Sequence, residues 1–344
     1  MSDEMEAKLQ AYLVTRESQW SSPVVHDLRS ISVGWESDVY AFDLEHGTMG
    51  ARQRLPLILR IYPGEVAADK AAREFGGMSL LYRAGYPVPA VHLLEREASP
   101  FGQPFVIMDR VDGTPMWRQL RDPDPHRVQA LITQFCQLQI TLHRLDWRPL
   151  VPDPARYDAD AYTVVDWELA QLDDWLRTPG LSSYAPVRDW LVARRDRAAC
   201  PHPSAIHGDL HPENVLLRAD GTAAVIDWTQ VTVSDARFDL AWTLMVIGCA
   251  MGDAWRARFL AEYERLAGAP VEELDYFDVF ACLKRLLIIA IVVHQGPGRM
   301  GLRGNVLATL RRQEQAMRWV YRRLMAHTGL HVADAERILA SFAS

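Results

Sequence analysis

Ile206-His207-Gly208-Asp209-Leu210-His211-Pro212-Glu213-Asn214-Val215-Leu216-Leu217, with Ala224-Val225-Ile226-Asp227-Trp228 shortly after it, is the stretch whose reading decides the fold of this chain. Residues 215–218 and 222–226 are short runs with β-branched residues, separated by Asp220-Gly221. That dipeptide predicts a two-residue hairpin turn of type I′, in which both central positions need φ > 0. Closing the hairpin there sets Asn214 opposite Asp227 at its open end. Opposed side chains start about 5 Å apart at Cβ, so an amide oxygen and a carboxylate can converge on one hard cation such as Mg²⁺. Asp209, five residues upstream of Asn214, lies in a loop that can curl over the same end and supplies a second carboxylate to handle a proton.

The order Asp-x4-Asn, followed by an Asp that closes a hairpin, resembles the catalytic and metal-binding segments of the aminoglycoside phosphotransferase/choline kinase superfamily, the small-molecule relatives of the protein kinases. The resemblance implies that Asp209 orients the acceptor hydroxyl and takes its proton, and that Asn214 and Asp227 hold Mg²⁺. It further implies that His207 fixes the loop and that Asp239 braces it from beneath. The fold it implies is α+β and two-lobed: an N-terminal nucleotide-binding lobe over residues 1–111, with an antiparallel sheet and a helix, and a mainly helical catalytic and acceptor-binding lobe over 112–344. A zinc site built on His202, His207 and His211 is the rival reading. It lacks the two histidines on one helix face, and the acidic general base, of an H-E-x-x-H motif.

The rest of the chain fits this frame. Length (344 residues) suits two lobes rather than one core. Net charge is −7, which does not advertise nucleic-acid binding. Four scattered cysteines without a C-x-x-C suit a reducing cytoplasm. Residues 1–4 lack the features of a signal peptide, and the longest mainly apolar stretch, 240–252, is shorter than the ~20 residues that span a bilayer. No membrane partner is expected.

In chain order, residues 3–18 predict an amphipathic helix with Met5, Leu9, Leu13 and Val14 near one face. Residues 31–42 read as strand, turn, strand, and by position resemble the loop that covers ATP phosphates, with Gly34 and with Ser37 as a phosphate donor. Residues 46–54 read as a polar connection. Leu55 to Tyr62 reads as a buried strand, in which a charged residue is costly unless paired. Arg60 stands there where the kinases carry the lysine that binds the α- and β-phosphates, a planar fork in place of a point charge. Glu74, on a helix over 67–84, is its expected partner, with Asp69 the competitor. Residues 105–113 resemble the interlobe hinge, where adenine would bond backbone groups at Asp109 and Val111 with Met108 behind it. Beyond residue 125 the chain is mostly helical. A helix over 161–177 shows Asp166, Glu168, Asp173 and Asp174, which read as a solvated acidic face, and Asp239 reads as the N-cap of an apolar helix.

The expected activity is transfer of a phosphoryl group from ATP or GTP to a hydroxyl of a small molecule. An antibiotic of aminoglycoside type is the first acceptor. A metabolite hydroxyl (choline, homoserine, a sugar or sugar amine) or a macrolide is the alternative, and a nucleotide-binding regulatory pseudokinase is a third. Oligomeric state is not legible.

Overall fold

The computed structural model describes residues 2–16, 20–31, 37–48, 51–97, 99–300 and 306–342. The chain forms two compact units. One comprises the residues up to Gly113 together with Leu216–Thr229, and the other Thr114–Val215 and most of the chain from Gln230 onward.

The first unit is built on five antiparallel strands: β1 (Val24–Ser30), β2 (Asp38–Thr48), β3 (Ala51–Ile61), β4 (Val91–Glu95) and β5 (Phe105–Asp109), ordered β1-β2-β3-β5-β4. Phe42, Leu44, Leu57, Leu59, Phe105 and Ile107 are spaced two apart on their strands and fully buried, the period expected of a sheet with one covered face. Helix α1 (Ser2–Thr15) buries Leu9 and Leu13 in the same core. Val14, expected on that face, is 60% exposed. Polar groups of α1 also finish the edge strand: Gln10 accepts the Val25 N–H, and Glu6 accepts the Leu28 N–H where β1 bulges around Asp27 (φ +57°). Residues 46–48 and 51–54 prove to be strand rather than a polar connection. His46 pairs with Gln53 and Thr48 with Ala51. Their polarity belongs to the open end of a long ribbon, whose rungs are reinforced by the Arg54–Asp43 and Arg52–Glu45 ion pairs. Helix α2 (Ala67–Arg83) buries Ala67, Ala71, Glu74, Met78 and Leu81, a single stripe at helical spacing with one acid in it.

The hairpin that carries Asp227 is shifted from its expected register. Arg218 N–H donates to Thr222 O and Gly221 N–H to Arg218 O, and of the loop residues Gly221 alone has positive φ (+85°). The loop is therefore Ala219-Asp220-Gly221, a turn followed by a left-handed glycine, not a type I′ turn. Asp220 suits it by accepting the Thr222 N–H at 2.9 Å. The strand ends at Val225, and Asp227 lies beyond it at φ +67°, so its own left-handed backbone, and not a ladder position, aims its carboxylate.

The second unit is helical: α3 (Met116–Gln119), α4 (Pro125–His143), α5 (Ala155–Ala159), α6 (Thr163–Leu176), α7 (Ala185–Val192), α8 (Ala236–Met251), α9 (Asp253–Ala267), α10 (Leu274–Gln295), α11 (Val306–Arg312), α12 (Glu314–Thr328) and α13 (Ala333–Phe342). The strands Ser204–Ile206 and Thr232–Ser234 pair antiparallel within it. Asp278 of α10 accepts from Arg256 of α9 at 2.6 Å and Arg323 of α12 at 2.5 Å, which ties three helices around one buried carboxylate. None of the described helices is long and apolar enough to cross a membrane.

Helices α8 and α12 approach closely at Gly248, where a Cβ would enter the Trp319 indole. Gly248→Ala gains helix propensity worth up to about 1 kcal/mol but overpacks a rigid ring at a cost of about 1–3 kcal/mol. We expect a lower urea midpoint at unchanged m-value; an unchanged or raised midpoint contradicts the packing described here.

Candidate active site

In the first unit the buried guanidinium of Arg60 uses each of its three nitrogens. Nε donates to Ser37 Oγ, one terminal nitrogen to Glu74 Oε1 and the other to Asp227 Oδ1, each at 2.8 Å. Glu74 is fully buried and doubly occupied: Oε1 also accepts the Trp228 N–H at 3.1 Å, and Oε2 accepts the Tyr62 hydroxyl. Burial pushes the Glu74 carboxyl above the ordinary range, with Arg60 opposing that shift. Burial works against the Arg60 charge, but the Asp227 and Glu74 carboxylates outweigh it and raise the guanidinium well above its usual value. Asp69, the competing partner, is 78% exposed beside Arg96. Gly34 lies outside the described residues. Ser37 is described, and it sits buried against Arg60.

The hinge residues lie at the end of β5. Met108 is buried between Ile58 and Val91 in neighbouring strands. Asp109 donates its N–H to Ala90 O, so what its backbone can offer a purine is the carbonyl. Its carboxylate holds His92 at 2.7 Å. Val111 is half-buried just beyond.

In the second unit one face of α8 holds three consecutive residues of the catalytic loop. Asp239 Oδ1 accepts the Gly208 N–H at 2.8 Å, the Trp242 indole N–H donates to Asp209 Oδ1 at 2.7 Å, and the Thr243 hydroxyl donates to Leu210 O at 2.7 Å. Positions i, i+3 and i+4 share a helix face, which is why one element can grip three neighbours. Helix α4 backs this grip from behind: Gln139 donates to Thr243, and His143 bonds Asp239 Oδ2 at 3.0 Å. Asp239 is not the N-cap expected of it. The helix starts earlier, capped by Asp235, which accepts the Arg237 N–H, and this leaves Asp239 free to turn inward. Gly208, at φ +80°, lets the loop pass against Gln230, where a Cβ would collide.

Asp209 thus has one oxygen pinned by an indole, while His211 stands 3.6 Å from Oδ2. Burial raises its carboxyl, but the His211 charge and the hydrogen bonds outweigh burial and hold it below the usual carboxylate range. The fully buried His207 accepts the Asp209 N–H through Nδ1. Asn214 donates Nδ2–H to Asp209 O at 3.0 Å, which orients its Oδ1 as the atom a cation can take. The Asp227 carboxylate of the first unit is partly exposed and, like Asn214 Oδ1, is a hard oxygen of the kind Mg²⁺ prefers. Asn214 and Asp227 fall in different compact units, and Asp209 shares a unit with Asn214.

Residues that the sequence reading did not place at the site complete the second unit's arrangement. Trp242 is one; an indole three residues after an acid, in an otherwise apolar helix, is the signal that marks it. Glu168 is another: it is 5% exposed, with Ser234 donating to it, not part of a solvated face. Glu168, Phe238, Trp242, Phe280 and Lys284 line a small open cavity, together with Gly208 and Asp239 of the loop support.

Three comparisons bear on this arrangement. A protein of Ralstonia eutropha described as a candidate aminoglycoside phosphotransferase shares the fold with a TM-score of 0.61 at 19% identity, over 96% of this chain and 98% of that one. Aminoglycoside phosphotransferase APH(4)-Ia, solved with AMP-PNP and hygromycin B, gives 0.55 at 18% identity over 91% and 98%. Mouse acyl-CoA dehydrogenase family member 10 is 25% identical over 205 residues, 55% of this chain, but the match spans only 18% of that much longer protein. The model of the APH phosphotransferase enzyme family matches residues 27–274, well over half of the chain, so the protein belongs to that family of phosphotransferases and has its two-lobed α+β kinase-like fold.

Proposed function

We propose that the protein moves the γ-phosphoryl group of ATP or GTP onto a hydroxyl of a small molecule, with Asp209 as the group that receives the hydroxyl proton. The observation that carries this reading is the fixed Asp209 carboxylate. It is kept ionised by its neighbours, held by Trp242 at one oxygen, and presented on a loop whose backbone is bonded to α8 at 208 and 210. The acceptor oxygen bonds to the γ-phosphorus as the bond to the β–γ bridging oxygen breaks, and the nucleoside diphosphate leaves with that oxygen. The acceptor proton passes to Asp209.

Asn214 Oδ1 and Asp227 are the residues assigned to hold Mg²⁺, which when bound neutralises charge on the phosphates. Arg60, steadied by Glu74, is assigned to the phosphates, with Ser37 behind it. The Asp109 carbonyl and Val111 N–H are assigned to the purine, with Met108 as the wall. The four unpaired cysteines, three of them buried, support a reducing cytoplasm as its location.

The aminoglycoside phosphotransferases among its fold neighbours support an aminoglycoside acceptor. The cavity beside Asp209 supports the second reading, a metabolite hydroxyl.

Two measurements test the reading. Asp209→Asn is expected to lower kcat by about 10²–10⁴-fold with nucleotide affinity retained by calorimetry; turnover near the wild-type rate would remove Asp209 from the chemistry. Chelation with EDTA is expected to abolish nucleotide turnover and added Mg²⁺ to restore it, with Asn214→Ala raising the Mg²⁺ concentration needed. Full turnover in EDTA contradicts the assigned donor set.

A further inference from the structure

The cavity below the catalytic loop has an electrical character of its own. Its three aromatic walls are Phe238, Trp242 and Phe280, with Phe238 and Phe280 in edge contact at 4.7 Å between centroids. Three charged side chains reach it: Glu168, Asp239 and Lys284. The two carboxylates are already satisfied from within the protein. Asp239 accepts the Gly208 N–H and bonds His143, and Glu168 accepts the Ser234 hydroxyl at 3.1 Å. Burial also pushes the Glu168 carboxyl up, toward its neutral form, with Lys284 opposing.

Lys284 differs. Its ammonium lies over the Trp242 ring at 5.7 Å from the centroid, and among the described residues no hydrogen bond or ion pair engages its N–H groups. A half-buried ammonium with three donors, resting on an aromatic face, is a group that a ligand's anion can complete. Trp242 connects the features, because the indole that walls the cavity also donates to Asp209.

We propose that this cavity is the acceptor site and that Lys284 makes it select a compact anionic alcohol, one whose carboxylate or phosphate sits near the hydroxyl to be phosphorylated. The apolar walls cover the acceptor's short carbon chain, the anion takes the ammonium, and the hydroxyl reaches Asp209 past Trp242. The hydroxyl then exchanges its proton for the phosphoryl group, as in the reaction above. Polycationic acceptors are disfavoured, since Lys284 repels them. The inference rests on the kinase reading and narrows it to one substrate class.

The test is coupled release of nucleoside diphosphate from the full chain with ATP and Mg²⁺. The acceptor panel comprises small hydroxycarboxylates, glycerol phosphates, the neutral amide or diol counterpart of each, and aminoglycosides. Anionic acceptors are expected to exceed their neutral counterparts in kcat/KM by about 10- to 100-fold, the range for a charge-assisted hydrogen bond. Lys284→Gln is expected to collapse that ratio toward one, through KM more than kcat, and Lys284→Arg to retain most of it; thermal melting of both variants reports folding. Turnover confined to carboxylates or confined to phosphates supports the proposal and identifies the anion. A wild-type ratio near one, a preference for aminoglycosides, or a Lys284→Gln effect equal on charged and neutral acceptors overturns it while leaving the kinase reading intact. Absence of Asp209-dependent turnover with every acceptor rejects the kinase reading itself.

Discussion

A guanidinium in a sheet interior is tolerable only if its charge is paired, and the first unit gives each of the three Arg60 nitrogens an acceptor. Two carboxylates and a hydroxyl close around it, drawn from α2, from the segment after the 216–225 hairpin, and from the start of β2. Removing Glu74 would leave buried charge uncompensated, a cost of about 3–5 kcal/mol for a pair of this kind. The cluster therefore fixes the position of α2 on the sheet and of Asp227 beyond its strand. A lysine could not hold the same three groups in one plane, which gives the arginine a structural rationale at this position. The same fork also sets the electrostatics of the nucleotide side. Asp227, assigned to the metal, is paired with the cation assigned to the phosphates, so both are oriented before either meets its ligand.

The second unit solves a different problem. A loop that presents a carboxylate must expose backbone without letting it wander. Here the exposed span is short, and the residues on either side of Asp209 are bonded to α8, which α4 supports in turn. Precision at Asp209 thus derives from helices whose remaining faces are apolar core. Local stability is borrowed from the whole bundle rather than generated in the loop.

Much of this was legible in the residues. A charged side chain inside the run Leu55–Tyr62 demands a partner, and helical spacing offers Glu74 on the buried stripe. The spacing of Asp209, Asn214 and Asp227 marks the loop that α8 grips and the acid that pairs with Arg60. What sequence could not supply was angular detail and long-range placement. Asp220-Gly221 is compatible with a two- or a three-residue loop, and choosing the former moved the register by one. Nothing local announces that Asp227 adopts φ +67°. Glu168 resembled its exposed neighbours Asp166, Asp173 and Asp174 because helix periodicity gives faces, not what those faces meet. Trp242 looked like one more apolar residue, since its hydrogen bond is made to a loop 33 residues away.

The hairpin segment belongs to the first unit although it is encoded about a hundred residues after that unit's last strand. During synthesis, the ribosome releases the whole five-stranded sheet and α2 well before Asp227 and Trp228 emerge. The nascent sheet must wait with Arg60 lacking one acid and Glu74 lacking one amide donor. Completion of the nucleotide side is thereby tied to translation of most of the catalytic loop, so a fragment cut at residue 113 is a unit with a missing piece rather than an autonomous module.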